Sequence, residues 1–168
     1  MIRMIEMENL FVPDSLRFIR SVASNLSPAL QLEAEQLFGV SVLQTYGMTE
    51  ASPLITSNLL PRELRKVGTV GKPLSTQIRL MRRGSPVSAV GEVGEIMIRG
   101  SNVISSYDDP TGETTSCFMD GWFRTGDLGS FDDEGFLCLN GREKLQINRG
   151  GEKISPKELE ICSTNHEG

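Results

Sequence analysis

No stretch of this 168-residue sequence holds the roughly 18 consecutive apolar residues a membrane-spanning helix needs, so none is expected to cross a bilayer. Met1 to Asn9 carries Glu6 and Glu8 and no apolar core, so no secretory signal is expected there. Basic charge is also in short supply, with 17 Lys and Arg against 22 Asp and Glu, a net charge of −5. The footprint of a nucleic-acid binder or of a polybasic membrane binder is missing. Cysteine occurs three times, at Cys117, Cys138 and Cys162, in no CxxC pattern. That argues against a disulfide framework or structural zinc and for a reducing, cytoplasmic compartment. The final Glu167–Gly168 carries no Ser-Lys-Leu address, although a longer parent could carry one and be peroxisomal. The lone histidine, His166, excludes any mechanism that needs two. No internal repeat or low-complexity tract stands out, and the charged and apolar content is that of an ordinary globular chain.

What is present begins with a βαβ pattern. Leu16 to Ser21 alternates apolar and polar residues and predicts a strand. Ser27 reads as an N-cap with Pro28 at the first helical position. Leu30, Ala34, Leu37 and Phe38 then form an apolar stripe, and Gly39 supplies the stop. Val40 to Gln44 predicts a second strand, parallel to the first. Ligands of open α/β sheets bind at the carboxyl ends of the strands. Functional residues are therefore expected in the loops Val22–Leu26 and Tyr46–Pro53.

Beyond Pro53 the texture changes to short strands and turns. Gly68–Pro73, Arg82–Pro86 and Gly91–Gly94 read as turns, with strands at Thr76–Met81 and Glu95–Arg99. Asp132–Gly135 reads as a tight turn joining Leu128–Phe131 to Phe136–Leu139. The expected class is α/β with an antiparallel β subdomain. Leu145–Asn148 predicts a further strand and Arg149–Glu152 a turn. Ser155-Pro156-Lys157-Glu158 is a capping box that announces a helix, yet the sequence stops at Gly168.

Three motifs carry chemistry. Tyr46-Gly47-Met48-Thr49-Glu50 sets an aromatic face, a glycine, a hydroxyl and a carboxylate within five residues after a strand. Such a set could stack a purine, donate to a phosphate and hold Mg²⁺, or it could be a turn with a core tyrosine. In Gly121-Trp122-Phe123-Arg124-Thr125-Gly126-Asp127, an aspartate after a glycine turn offers two acceptor oxygens to a vicinal diol. In the run Gly141 to Glu160, Arg142 presents a fork of donors suited to ribose or phosphate oxygens, and Gly150–Gly151 lets backbone pass close to a narrow ligand. Taken singly, each string is also compatible with an ordinary turn.

In this order the three strings, together with the stretch from Leu16 to Pro53, resemble the adenylate-forming superfamily of acyl- and aryl-CoA synthetases, over about residues 15–160. Thr56-Ser57-Asn58, the run Gly68–Pro73 and INRGGEKISP look most like the oxalate–CoA ligase group. The resemblance implies that Tyr46 stacks on adenine with Gly47 beside it, that Thr49 meets the phosphate and that Glu50 holds Mg²⁺. Thr49 and Glu50 become the catalytic candidates. It implies ribose contacts for Asp127 and Arg142, a hinge at Lys144 and a CoA channel beside Gly150 and Gly151. Ala23 and Ser24 match the loop beside adenine, where Val22 and Asn25 replace a usual glycine and proline. The domain reading is 1–143 for part of the large AMP-binding domain and 144–168 for the start of the lid domain.

The implied reaction joins a small-molecule carboxylate to CoA through an acyl-adenylate, with ATP, Mg²⁺ and CoA required. No nucleic-acid or specific protein partner is expected. The family's glycine- and Ser/Thr-rich phosphate loop and its late catalytic lysine have no counterpart in the sequence. The expectation is a synthetase fragment that is inactive as an isolated chain. The alternatives are a nucleotide-binding remnant, or an adenylation domain serving a carrier protein.

Overall fold

The computed structural model describes residues 12–24, 26–61, 64–143, 147–149 and 152–154. Strand β1 (Phe18–Ser21) leads through helix α1 (Pro28–Phe38) to β2 (Ser41–Gly47). β1 and β2 are parallel, with Phe18 opposite Ser41 and Ser21 opposite Gln44. The helix starts where its cap predicts. The Ser27 hydroxyl accepts from the Leu30 amide at 3.2 Å, and Pro28 occupies the first turn. It ends at Gly39, whose φ of 65° needs a residue without a Cβ.

The helix buries only part of the predicted stripe, Ala34 with Phe38 half-buried, and adds Gln31 to it. Gln31 and Ala34 are buried, while Leu30, Leu32 and Leu37 stand exposed. The reason is polar docking at the start of β2. The Gln31 side-chain amide donates to the Val42 carbonyl at 2.9 Å, and a Glu35 carboxylate oxygen accepts from the Val42 amide at 2.9 Å.

Antiparallel β3 (Leu54–Ser57) and the two-residue β4 (Lys72–Pro73) complete a sheet of order β1-β2-β3-β4. The predicted turn at Gly68–Pro73 thus ends in an edge strand, where a proline interrupts no central ladder.

The second sheet is antiparallel, with order β10-β9-β7-β5-β6 and β8 paired to β9. Its strands are β5 (Gln77–Arg82), β6 (Ser85–Val87), β7 (Gly94–Arg99), β8 (Phe118–Met119), β9 (Trp122–Phe131) and β10 (Leu137–Arg142). Tight hairpins turn on Arg83–Gly84 and on Asp120–Gly121, each pair at positive φ as a type I′ turn requires. Between β9 and β10, an Asp132 carboxylate oxygen accepts from the amides of Glu134 and Phe136, as the predicted turn implies. A separate hairpin pairs β11 (Ile147–Arg149) with β12 (Glu152–Ile154). Arg149 and Glu152, the first and last residues of the predicted turn, pair with each other. The capping box at Ser155–Glu158 lies outside the described residues.

One apolar core joins the two large sheets. Tyr46 and Ile55 from the first, with Ala51 from the turn between β2 and β3, meet Leu80, Ile96, Ile98, Phe123 and Leu137 from the second. Backbone bonds stitch the same seam: the Val70 amide donates to the Leu137 carbonyl, and the Leu137 amide to the Gly71 carbonyl, each at 2.8 Å. The conspicuous Trp122 is structural, with the guanidinium groups of Arg79 and Arg99 each 4.5 Å from its ring centre.

Candidate functional site

The motif residues converge where β2 of one sheet faces β9 and β10 of the other. Tyr46 lies on β2, buried in the core, rather than in the predicted loop. Its hydroxyl donates to Asp127 Oδ2 at 2.7 Å. Burial, with the Asp127 charge beside it, pushes the Tyr46 phenol far above its ordinary value, so it remains a donor. Asp127 is also a strand residue and does not simply follow a turn. β9 bulges there, because Leu128 pairs with Glu95 but Arg124 with Met97. Gly126 takes a φ of 71° inside the bulge, and the Thr125 hydroxyl both donates to the Ile96 carbonyl at 2.8 Å and accepts from the Asp127 amide at 3.0 Å. The bulge re-aims the carboxylate toward the seam.

Arg142 pairs with Asp127 across the β9–β10 ladder and donates from Nε to Asp127 Oδ1 at 2.7 Å. That bond raises the guanidinium still further above its ordinary value. Asp127 is 8% exposed, whereas the Arg142 side chain is 59% exposed. Each Asp127 oxygen therefore holds one donor and keeps a second acceptor position. A buried acceptor is thus anchored from below by a phenol and flanked by an open fork of donors.

After β2 the chain turns through a 3-10 segment at Thr49–Ala51. Gly47 makes this turn feasible for an internal reason: a Cβ there would sit 1.8 Å from the Pro53 carbonyl oxygen. The close approach is made by the protein's own backbone. Thr49 is exposed and Glu50 half-buried. A segment from the second sheet clasps the turn. The Ile104 amide donates to the Glu50 carbonyl at 2.9 Å, and the Asn102 amide group to the Ala51 carbonyl at 2.8 Å. The Tyr107 hydroxyl donates to Glu50 Oε1 at 2.8 Å. Sequence reasoning missed Asn102 and Tyr107, since neither belongs to a string with chemistry of its own and both act through distant neighbours.

Ala23 and Ser24 follow β1 on an exposed turn, with Ala23 at a φ of 70° that an alanine adopts only under strain. The Thr45 hydroxyl donates to the Ser21 carbonyl at 3.1 Å and holds this turn's root against β2. Lys144, Gly150 and Gly151 lie outside the described residues. An open hollow of about 910 Å³ lies on the second sheet, lined by Arg82, Glu92, Glu95, Arg124 and Glu143, and it contains none of the motif residues Tyr46, Glu50, Asp127 or Arg142. Arg124 is there held by Glu95 through a bidentate pair with bonds of 2.7–3.1 Å. Cys117 and Cys138 are not in disulfides, and no described helix is long and apolar enough to cross a membrane.

An α/β sheet joined at a common core to an antiparallel sheet, with a Tyr–Asp–Arg cluster on the seam and a Thr-Glu turn after β2, places the chain in the α/β class with an antiparallel β subdomain. Residues 2–108 match the AMP-binding enzyme family, and the chain belongs to that family. It is 43% identical over 152 residues to the oxalate–CoA ligase of Arabidopsis thaliana, covering 90% of this chain and 30% of that protein. With the oxalate–CoA ligase of Saccharomyces cerevisiae the figures are 47% over 153 residues, 90% and 28%. The o-succinylbenzoate-CoA synthetase (MenE) of Bacillus subtilis, solved with ATP and a magnesium ion, superposes with a TM-score of 0.81 at 38% identity, over 98% of this chain and 34% of that one. The chain therefore spans about 30% of the length of these relatives.

Proposed function

We propose that this chain is the ribose- and phosphate-binding part of an ATP-dependent acyl-CoA synthetase. The observation that carries the reading is the buried Asp127 carboxylate, held by Tyr46 and Arg142 with acceptor positions to spare. A carboxylate anchored in this way can take the two hydroxyls of a ribose without rotating. Arg142, half-solvated, donates to ribose oxygens alongside it. The exposed hydroxyl of Thr49 donates to a phosphate oxygen. Ala23 and Ser24 border the base, while Tyr46, 6% exposed and bonded to Asp127, acts from beneath the site and not as a stacking face.

Glu50 suits a hard divalent cation. Oε1 is taken by Tyr107, and among the described residues no side chain takes Oε2. One carboxylate beside a hydroxyl, shared with substrate phosphates, is the usual protein share of a Mg²⁺ site. Bound there, Mg²⁺ supplies neutralisation of phosphate charge. The protein's contribution is to fix the carboxylate on a turn clasped from both sheets, so that orientation is settled before substrate arrives.

The wider reading assigns residues 1–143 to the large domain and 144–168 to the start of the lid, with Lys144 as hinge and Gly150–Gly151 beside the CoA channel. The likeness to oxalate–CoA ligases makes oxalate and other small carboxylates the first acids to test. The thioester step belongs to a polypeptide longer than this one, and the 168 residues alone are expected to bind nucleotide without turning it over. Calorimetric titration with ATP and Mg²⁺ tests the reading. Saturable binding, weakened in Arg142→Ala and Glu50→Gln, supports it. Absence of saturable binding in a folded wild-type chain contradicts it.

A further inference from the structure

We infer that Tyr107 is a positioning residue for Glu50: its hydroxyl fixes one carboxylate oxygen so that the other faces the cation and phosphates. The inference rests on the Mg²⁺ reading of Glu50 given above. Its geometry is independent of that reading.

Tyr107 reaches Glu50 from 57 residues away, with a hydroxyl-to-Oε1 distance of 2.8 Å. The ring that carries the hydroxyl is seated in an aromatic cluster, 6.2 Å from Phe118 and 6.2 Å from Phe123 between centroids. Phe118 and Phe123 pack edge-on at 5.3 Å and are themselves paired across the β8–β9 hairpin. The donor is thus mounted on the second sheet, while its acceptor sits on a turn of the first. Ile104 and Asn102, from the same segment, hold the backbone of that turn through the carbonyls of Glu50 and Ala51. Backbone and side chain of Glu50 are therefore fixed from one strap. A partner that orients a ligating carboxylate typically changes metal affinity by roughly 10–100-fold.

Replacing tyrosine by phenylalanine keeps the ring and removes only the donor. In the 168-residue chain, the Mg²⁺ concentration that half-saturates the metal-dependent part of ATP binding is the readout. Tyr107→Phe should raise it about 10-fold, with ATP binding in the absence of metal unchanged and the melting temperature close to wild type. In the Glu50→Gln background, Tyr107→Phe should add nothing, because the charged carboxylate it orients toward the cation is gone. Equal metal dependence in wild type and Tyr107→Phe, beside a loss in Glu50→Gln, overturns the positioning role and leaves Glu50 in place. A wild-type chain whose ATP binding ignores Mg²⁺ overturns both. A Tyr107→Phe chain that melts far below wild type assigns the hydroxyl to the fold and also overturns the inference.

Discussion

At the scale of the residue, the decisive contact is between Tyr46 and Asp127, 81 positions apart in the chain. Removing the phenol hydroxyl leaves a buried carboxylate oxygen short of its donor, which costs about 1–3 kcal/mol. Tyr46→Phe should therefore lower stability by that amount in urea unfolding at neutral pH. The same residue sets an alkaline limit. Its phenol is raised by burial first and by the Asp127 charge second, so the folded state keeps the proton where the unfolded chain has lost it. The stabilisation is complete below the ordinary tyrosine value of about 10 and is lost as pH rises beyond it. In Tyr46→Phe the fall of stability above that pH should be shallower than in wild type, and an identical fall would remove Tyr46 from this role. Asp132 works in the opposite sense. Burial would raise it, but the Lys66 ammonium and the amides of Phe136 and Glu134 hold it below its usual value, so its contribution fades as the solution is acidified.

At the scale of the element, two glycines of the motifs separate by cause. Gly47 ends β2 where the Pro53 carbonyl would collide with any side chain, whereas Gly126 has open space around it and a φ of 71°. Gly126→Ala should cost only the left-handed strain of about 1–2 kcal/mol. Gly47→Ala forces the turn apart and should cost about 3 kcal/mol or more. Melting curves of the two variants check the order, and the reverse order would contradict the geometry. These elements also show what a sequence makes legible. The cap at Ser27, the stop at Gly39 and the Asp132 turn are local, each complete within a few residues, and each was readable. The helix face was legible only at Ala34 and Phe38, because Gln31 and Glu35 dock through hydrogen bonds to Val42 that periodicity of apolar residues does not register. The bulge at Gly126 was hidden for a similar reason: it exists only in the pairing of β9 with β7.

At the scale of the whole molecule, the candidate site is a product of the seam. Tyr46 and Glu50 come from one sheet, and Asp127, Arg142 and the strap of Asn102 to Tyr107 from the other. The motif residues were legible as types, yet their mutual contacts needed the shared core of Tyr46, Ile55, Ile96 and Leu137 to bring them together. From the family resemblance, the phosphate loop and the late lysine are expected to have no counterpart in these 168 residues. The isolated chain should therefore show no pyrophosphate exchange above background with any carboxylic acid, since loss of one stabilising donor alone costs roughly 10²–10³ in rate. Exchange at the rate of an intact synthetase would contradict this. Asp127 is expected to receive the ribose diol. The most direct test titrates ATP and 2′,3′-dideoxy-ATP against wild type and Asp127→Asn, a variant that keeps an acceptor for Tyr46. A hydrogen bond to a charged group is worth about 1.5–3 kcal/mol, so ATP affinity should fall roughly 10-fold or more in the variant, while the dideoxy nucleotide binds both proteins alike. Equal ATP affinity in the two proteins, or an equal loss for both nucleotides, would contradict the account.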